Sequence, residues 1–331
     1  MSPGARRALE FVLDNLVWFM LIAVLIIFSL TVPNYFQVGI FANIVEQSSV
    51  LGVMAIGLAM VIIAGHMDLS VESVGALAAM ATGILFCSAG IGMGVVLEPS
   101  WLMVPVSALI AIAVGGAIGA TNGFLVVKVK MNAFIVTLAA YIWVRGMVVA
   151  ISGGRSAQDL APAIRWLGVQ RLVGVPVTAW IAIACFVIFS FVMARTPFGR
   201  HLLMIGGNQG AAFRAGIKVD RILITTFVLA GAVAGLAGWL LAIRTSGATA
   251  NLGVGMLFNA FAAVVIGGVS LKGGTGALPG VYAGVLLLSS INTAINLMGL
   301  PPHFTQVIHG LLVLGAVLLD TLKHTIRQKL A

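Results

Sequence analysis

The feature that most constrains this chain is a succession of ten apolar runs, most of them close to twenty residues long. They fall at about 11–32, 41–64, 69–97, 101–121, 132–152, 172–194, 222–243, 251–271, 278–300 and 303–322 of the 331 residues. About twenty consecutive apolar residues is what an α-helix needs to cross the hydrocarbon core of a bilayer. The runs show none of the alternation expected of a membrane barrel. Composition agrees, with 61% of residues apolar and only 8% charged, against about 25% charged in soluble domains. Too few side chains remain to hydrate a water-facing surface, which excludes a soluble enzyme and a disordered chain. The net charge of +9 is spread along the chain without a dense basic patch, so nucleic acid is not an expected partner. The expectation is an all-α polytopic membrane protein, a single membrane domain over 1–331 with about ten transmembrane helices.

The first run follows Arg6 and Arg7 and ends in Leu30-Thr31-Val32-Pro33-Asn34. It is longer than the apolar core of a secretory signal and lacks a small-residue cleavage site, so it reads as an uncleaved span. Cys87 and Cys185 both sit inside apolar runs and read as small core residues, giving neither a disulfide frame nor a metal site. Glycines inside the runs point to helices whose backbones approach closely. Ten spans put both termini on one side, and Lys and Arg mark the cytoplasm. That side receives Arg6, Arg7, Lys128, Lys130, Arg195, Arg200, Arg214, Lys218, Arg221, Lys272, Lys323, Arg327 and Lys329, and the other only Arg155, Arg165, Arg171 and Arg244. Both termini are therefore expected in the cytoplasm.

Enzymatic signatures are missing from the sequence. Gly273-Gly274-Thr275-Gly276 lacks the lysine of a phosphate-binding loop, so the chain does not hydrolyse ATP by that route. No H-E-x-x-H and no G-x-S-x-G occurs, and the neighbours His66 and Asp68 have no further metal ligand close in sequence.

The most informative stretch is Val61 to Ser73, where an apolar run breaks at Gly65 and resumes after Asp68 and Ser70. Asp68 and Ser70 stand where they can cap the next helix, and Glu72 in its first turn complements the positive helix end. Acidic groups at membrane depth are also functional-site candidates by default. An interrupted helix near 65–73, with Gly65, Asp68, Ser70 and Glu72, is expected to cap, to line a translocation path, or both. Asn43, Glu46 and Gln47, at i, i+3 and i+4, share one helix face and either line the same path or bond between helices. Arg145, inside the 132–152 run, is expected to snorkel to an interface rather than pair with a buried acid. The longest polar connection is 195–221. Within it Asn208 can start a short helix, Ala211 and Ala212 leave room for close packing, and Gly216 can end it. It reads either as a docking peg for a soluble partner or as a basic loop held to anionic lipid.

Several of these stretches resemble permease subunits of ribose/arabinose/galactose-type ABC importers, within the branched-chain amino acid/ribose permease superfamily. Gly65, Asp68, Leu69, Ser70, Val71 and Ser73 match the motif Gly-Gly-Ile-Asp-Leu-Ser-Val-Gly-Ser, with departures at His66, Met67 and Glu72. The resemblance continues, in order, through Asn122-Gly123-Phe124, Ala133 to Leu138, Thr196 to Ile217 and Ala262 to Gly274. It implies a non-enzymatic subunit of the bacterial inner membrane that imports a monosaccharide or related polyol. It also implies a second permease copy (identical or paralogous), ATPase subunits that use the ATP, and an extracytoplasmic solute-binding protein, with no cofactor in this chain. On that reading 195–221 is a cytoplasmic coupling loop, and Gly207, Asn208, Ala211, Ala212, Arg214 and Gly216 contact the ATPase. The alternatives are a related ABC permease for nucleosides or branched-chain amino acids, an ion-coupled secondary transporter relying on Glu46, Asp68 or Glu72, and an intramembrane enzyme, for which no paired nucleophile and base is visible.

Overall fold

The fold was obtained as a computed structural model and is described for residues 15–299, together with 307–308, 310–311, 314–315 and 318. In chain order its elements begin with α1 (Leu16–Thr31), α2 (Val38–Ile63), α3 (Val71–Phe86), β1 (Cys87–Gly90), α4 (Met103–Val127) and α5 (Ala133–Ser152). There follow β2 (Ala157–Leu160), α6 (Pro162–Val169), β3 (Arg171–Leu172), β4 (Val175–Pro176), α7 (Val177–Arg195), α8 (Pro197–Gly207) and α9 (Gln209–Arg214). The rest comprises α10 (Val219–Thr245), β5 (Gly247–Ala248), α11 (Met256–Ile266) and α12 (Leu278–Leu297).

Among the described residues six helices are long and apolar enough to cross a membrane: α2, α4 with its leading turn from Ser100, α5, α7, α10 and α12. Three shorter apolar helices, α1, α3 and α11, complete the bundle. Each of the first nine expected spans thus holds one helix, and the expected span at 303–322 lies outside the described residues apart from isolated positions. Three of the nine lose part of their apolar runs to strands or glycine turns. The 69–97 run ends its helix at Phe86, because Cys87 enters an antiparallel strand opposite Leu160. The 251–271 run is cut by Gly253 and Gly255 before the helix and by Gly268 after it, all at positive φ. The 172–194 run likewise loses its start to the β3–β4 hairpin.

The helices shuttle between two ends. At one end a three-stranded sheet of order β1-β2-β5 joins the connections after α3, α5 and α10. At the other, Gly65, Gly206 and Gly273 meet, and Lys128 pairs with Asp220 at 2.8 Å. That second end carries Lys128, Arg214, Lys218 and Lys272, whereas Arg155, Arg165, Arg171 and Arg244 adjoin the strands. The two ends therefore divide these charges as the sequence does.

At the centre stands α2, with 89% of its most apolar stretch buried, against 28% for α4 and α5. Packing around it uses glycine as the runs suggest. Gly115 and Gly119 of α4 face Gly231 and Gly235 of α10, two G-x-x-x-G pairs in reciprocal register. A Cβ at Gly115 would overlap the Gly231 carbonyl, and one at Gly231 would overlap the Gly115 carbonyl. Small residues here let two backbones touch, which is how helices gain dispersion energy where lipid leaves no hydrophobic drive between them.

Candidate functional site

The break between α2 and α3 organises the polar interior. α2 stops at Ile63, Gly65 takes φ +81°, and residues 66–70 run without helical structure to Ser70. Asp68, 1% exposed, accepts hydrogen bonds through Oδ1 from the Ser70 amide at 2.9 Å and the Ser70 hydroxyl at 2.6 Å. This is a local side-chain turn. Ser70 occupies the N-cap position of α3, yet its side chain does not bond the first turn. Its Oγ instead accepts from Asn122 Nδ2 of α4 at 2.9 Å. Thr137 of α5 reaches the Met67 carbonyl at 3.4 Å, and the His66 ring lies 6.1 Å from that of Phe227 on α10. Asp68, Ser70 and Asn122 thus form one buried chain of hydrogen bonds, held from three sides.

Glu72, one turn further, does something else. Its Oε1 meets Arg145 Nη2 at 2.9 Å, and its Oε2 accepts from the amides of Gly255 and Leu257, each at 3.0 Å. Arg145 completes the knot by donating through Nη1 to the carbonyls of Ala250 at 3.0 Å and Leu252 at 3.2 Å. This overturns the expectation that Arg145 snorkels: it pairs with a buried acid. Glu72 in turn lies in the first turn of α3 but caps α11, whose N-terminal amides have no cap of their own. The carboxylate is 1% exposed and takes three donors, so it faces protein rather than an open path.

Asn43, Glu46 and Gln47 do share a face of α2, but the structure does not bring them to Asp68. Glu46 lies seventeen residues before Ile63, about 25 Å along the helix at 1.5 Å per residue. It instead approaches Arg171 of β3 at 3.9 Å. Asn43 is exposed and Gln47 half-buried.

In the polar connection, Asn208 caps α9 by accepting from the Ala211 amide at 2.9 Å, and Gly216 at φ +80° follows its last turn. The helix is Gln209–Arg214, shorter than the polar stretch around it. Ala211 is exposed, but Ala212 is buried in the protein's own core, and the outward apolar group is Phe213, 71% exposed. Gly207, Asn208 and Arg214 are exposed with it. A groove of about 700 Å³ beside α9 is lined by Lys128, Phe213, Ile217, Lys218 and Arg221.

Residues 40–317 match the family described as branched-chain amino acid transport system / permease component. The chain belongs to this permease family. It is 34% identical over 311 residues to the ribose import permease protein RbsC of Escherichia coli (strain K12), covering 92% of each chain. It is 34% identical over 309 residues to RbsC of Bacillus subtilis (strain 168), covering 92% of this chain and 91% of that one. To the L-arabinose ABC transporter permease protein AraH of Azospirillum brasilense it is 34% identical over 305 residues, 91% of this permease and 85% of the relative. No solved structure matches it.

Two contacts of the permease's polar interior escape residue-level reading of the sequence. Asn122 had a signal, being a lone amide inside an apolar run, and such a group must find a partner between helices. The contact of Gly206 with Ile63 had none, because nothing local distinguishes it from the glycines that pack along α4 and α10.

Proposed function

We propose that this permease is the membrane subunit of an ATP-driven importer for a monosaccharide or related polyol delivered by an extracytoplasmic solute-binding protein. The observation that carries the reading is 34% identity over 92% of the chain to a ribose import permease, matched by 34% over 90% to an L-arabinose transport system permease. ATP is used by partner ATPase subunits that dock on α9 through Phe213 and its exposed neighbours. A second permease copy, identical or paralogous, completes the path. The nine described apolar helices of the bundle and the 303–322 run make ten passages, with both termini in the cytoplasm and the β1-β2-β5 sheet outside. The positive-inside rule supports that direction.

Alternating access follows from differential binding: closed and open ATPase dimers hold α9 in different positions, and the membrane domain follows. Glu72 leaves little for an ion-coupled cycle, since its two oxygens already hold three donors. Reconstitution with the ATPase and binding protein tests this. Uptake of ribose or arabinose is expected to require ATP and both partners and to ignore proton and sodium gradients. Gradient-driven uptake by the permease alone refutes the reading. The family's description favours one second reading, a branched-chain amino acid as cargo, and binding of leucine but no sugar by the cognate binding protein would establish it. Impermeant labelling of single cysteines at 218 from the cytoplasm and at 160 from outside is the expected topology, and the reverse overturns it.

A further inference from the structure

Three segments far apart in sequence meet at a joint made of glycine backbone. Ile63 at the end of α2 accepts, through its carbonyl, the amide of Gly274 at 2.9 Å. Gly206, in the last turn of α8, lies directly on that bond. A Cβ there would overlap the Ile63 oxygen and stand 2.5 Å from the Gly274 nitrogen. Gly273 takes φ +82°, and a Cβ on it would be 2.8 Å from the Gly65 Cα and 2.9 Å from the Gly206 oxygen. Gly274, at φ +74°, would place one 2.6 Å from the Gly207 Cα. No side chain intervenes to flex, and backbone cannot yield by changing rotamer.

We propose that this joint is the mechanical link of transport, with Gly206 as its positioning residue. It makes α8, the α2–α3 break and the 267–277 loop one rigid body. One side of the joint continues within two residues into Asn208 and α9. Another continues through Gly65 into Asp68 and Ser70, whose hydrogen bonds run to Asn122 on α4. The third leads through Gly267, packed on Val281 and Gly280, into α11 and α12. A displacement of α9 therefore reaches the buried polar chain directly, without first moving the long α4–α10 pair. The proposal rests on α9 being the ATPase docking element.

Two measurements test it on the full complex with ATPase and binding protein. In the first, spin labels on exposed Met204 of α8 and exposed Lys272 of the loop report their separation in nucleotide-free and ATP-bound complexes. The distance distribution is expected to stay the same in both states, and a shift on ATP binding overturns the rigid joint. In the second, Gly206→Ala is compared with Gly146→Ala, whose added Cβ meets nothing within 4 Å. Gly206→Ala is expected to insert and to retain the ATPase on co-purification. Sugar moved per ATP hydrolysed should fall about tenfold or more, the scale of a coupling change when a packed joint is forced apart. Gly146→Ala should keep the wild-type ratio. An unchanged ratio in Gly206→Ala overturns the proposal, while Gly273→Ala, entering the same joint from another segment, should reproduce the loss. Failure of the docking reading is separable: Phe213→Asp would then leave ATPase recovery intact, whatever the labels report.

Discussion

Removing the Glu72 carboxylate should cost this permease more than any other single polar deletion in the bundle. In Glu72→Ala, Arg145 keeps only two backbone carbonyls, and the amides of Gly255 and Leu257 lose their acceptor. Breaking a buried ion pair from one side costs about 3–5 kcal/mol, because the remaining charge has no compensation. Arg145 is 16% exposed at its side chain, so water offers it little relief. At about 1.4 °C per kcal/mol, from an unfolding entropy of about 2.1 cal/mol/K per residue over a chain of this size, the expected fall in Tm is about 4–7 °C in detergent, read by tryptophan fluorescence. The reverse deletion should be milder. In Arg145→Ala the carboxylate still holds two amides at the positive end of α11, a favourable place for an anion. The double variant Glu72→Ala/Arg145→Ala should lie above the sum of the singles, with a coupling energy of about 0.5–3 kcal/mol. A Glu72→Ala protein that melts with the wild type, or singles that simply add, would refute the knot as drawn.

The remaining predictions concern transport. Asp68→Asn retains an acceptor for the Ser70 amide and hydroxyl, so assembly should persist with a stability loss of about 1–2 kcal/mol; uptake is expected to fall partially, and full activity in Asp68→Ala would remove the residue from both the turn and the path. At the docking helix, Phe213→Asp should abolish co-purification of the ATPase while leaving the permease as stable as wild type by thermal unfolding. Ala212→Trp should lower the permease's own Tm, because Ala212 is buried in its own core; a Tm unchanged with ATPase recovery lost would instead put Ala212 in the docking surface.

What could be read from the sequence was what local periodicity and local chemistry carry. Apolar runs located the helices, and the embedded glycines located a packing mode, seen at Gly115, Gly119, Gly231 and Gly235. Asn208 and Gly216 marked the ends of α9 because capping involves only neighbours. The small sheet was not legible: β5 has two residues and pairs with β2 about ninety positions earlier, too short for any alternation to register. The partner of Arg145 was missed for the same reason. Glu72 is seventy-three residues away, and from sequence a long basic side chain within reach of a helix end favours the solvent answer. Helical spacing placed Asn43, Glu46 and Gln47 on one face, but spacing names a face and not its neighbour, which turned out to include Arg171. In α9, a helix of six residues gives no periodicity with which to tell the buried Ala212 from the exposed Ala211.

The arrangement of charge also bears on where energy enters this permease. An acid that couples transport to an ion must exchange partners between two states, and that requires at least one lone pair facing a route for the ion. Glu72 spends its two oxygens on Arg145 and on two helix amides, and those donors belong to α5 and α11 rather than to solvent. Asp68 is engaged by the residue two positions along its own backbone, so its nearest partner travels with it. Glu46 lies about 25 Å along α2 from that turn, near the β3–β4 hairpin. Glu72 and Glu46 tie separate elements together, and Asp68 shapes its own turn. The joint at Gly206, Ile63 and Gly274, by contrast, connects the interior to a helix that displays Phe213 to solvent. Work done on that helix from outside the chain has a continuous backbone path to the buried polar chain, whereas an ion entering the bundle would find Glu72 already holding three donors.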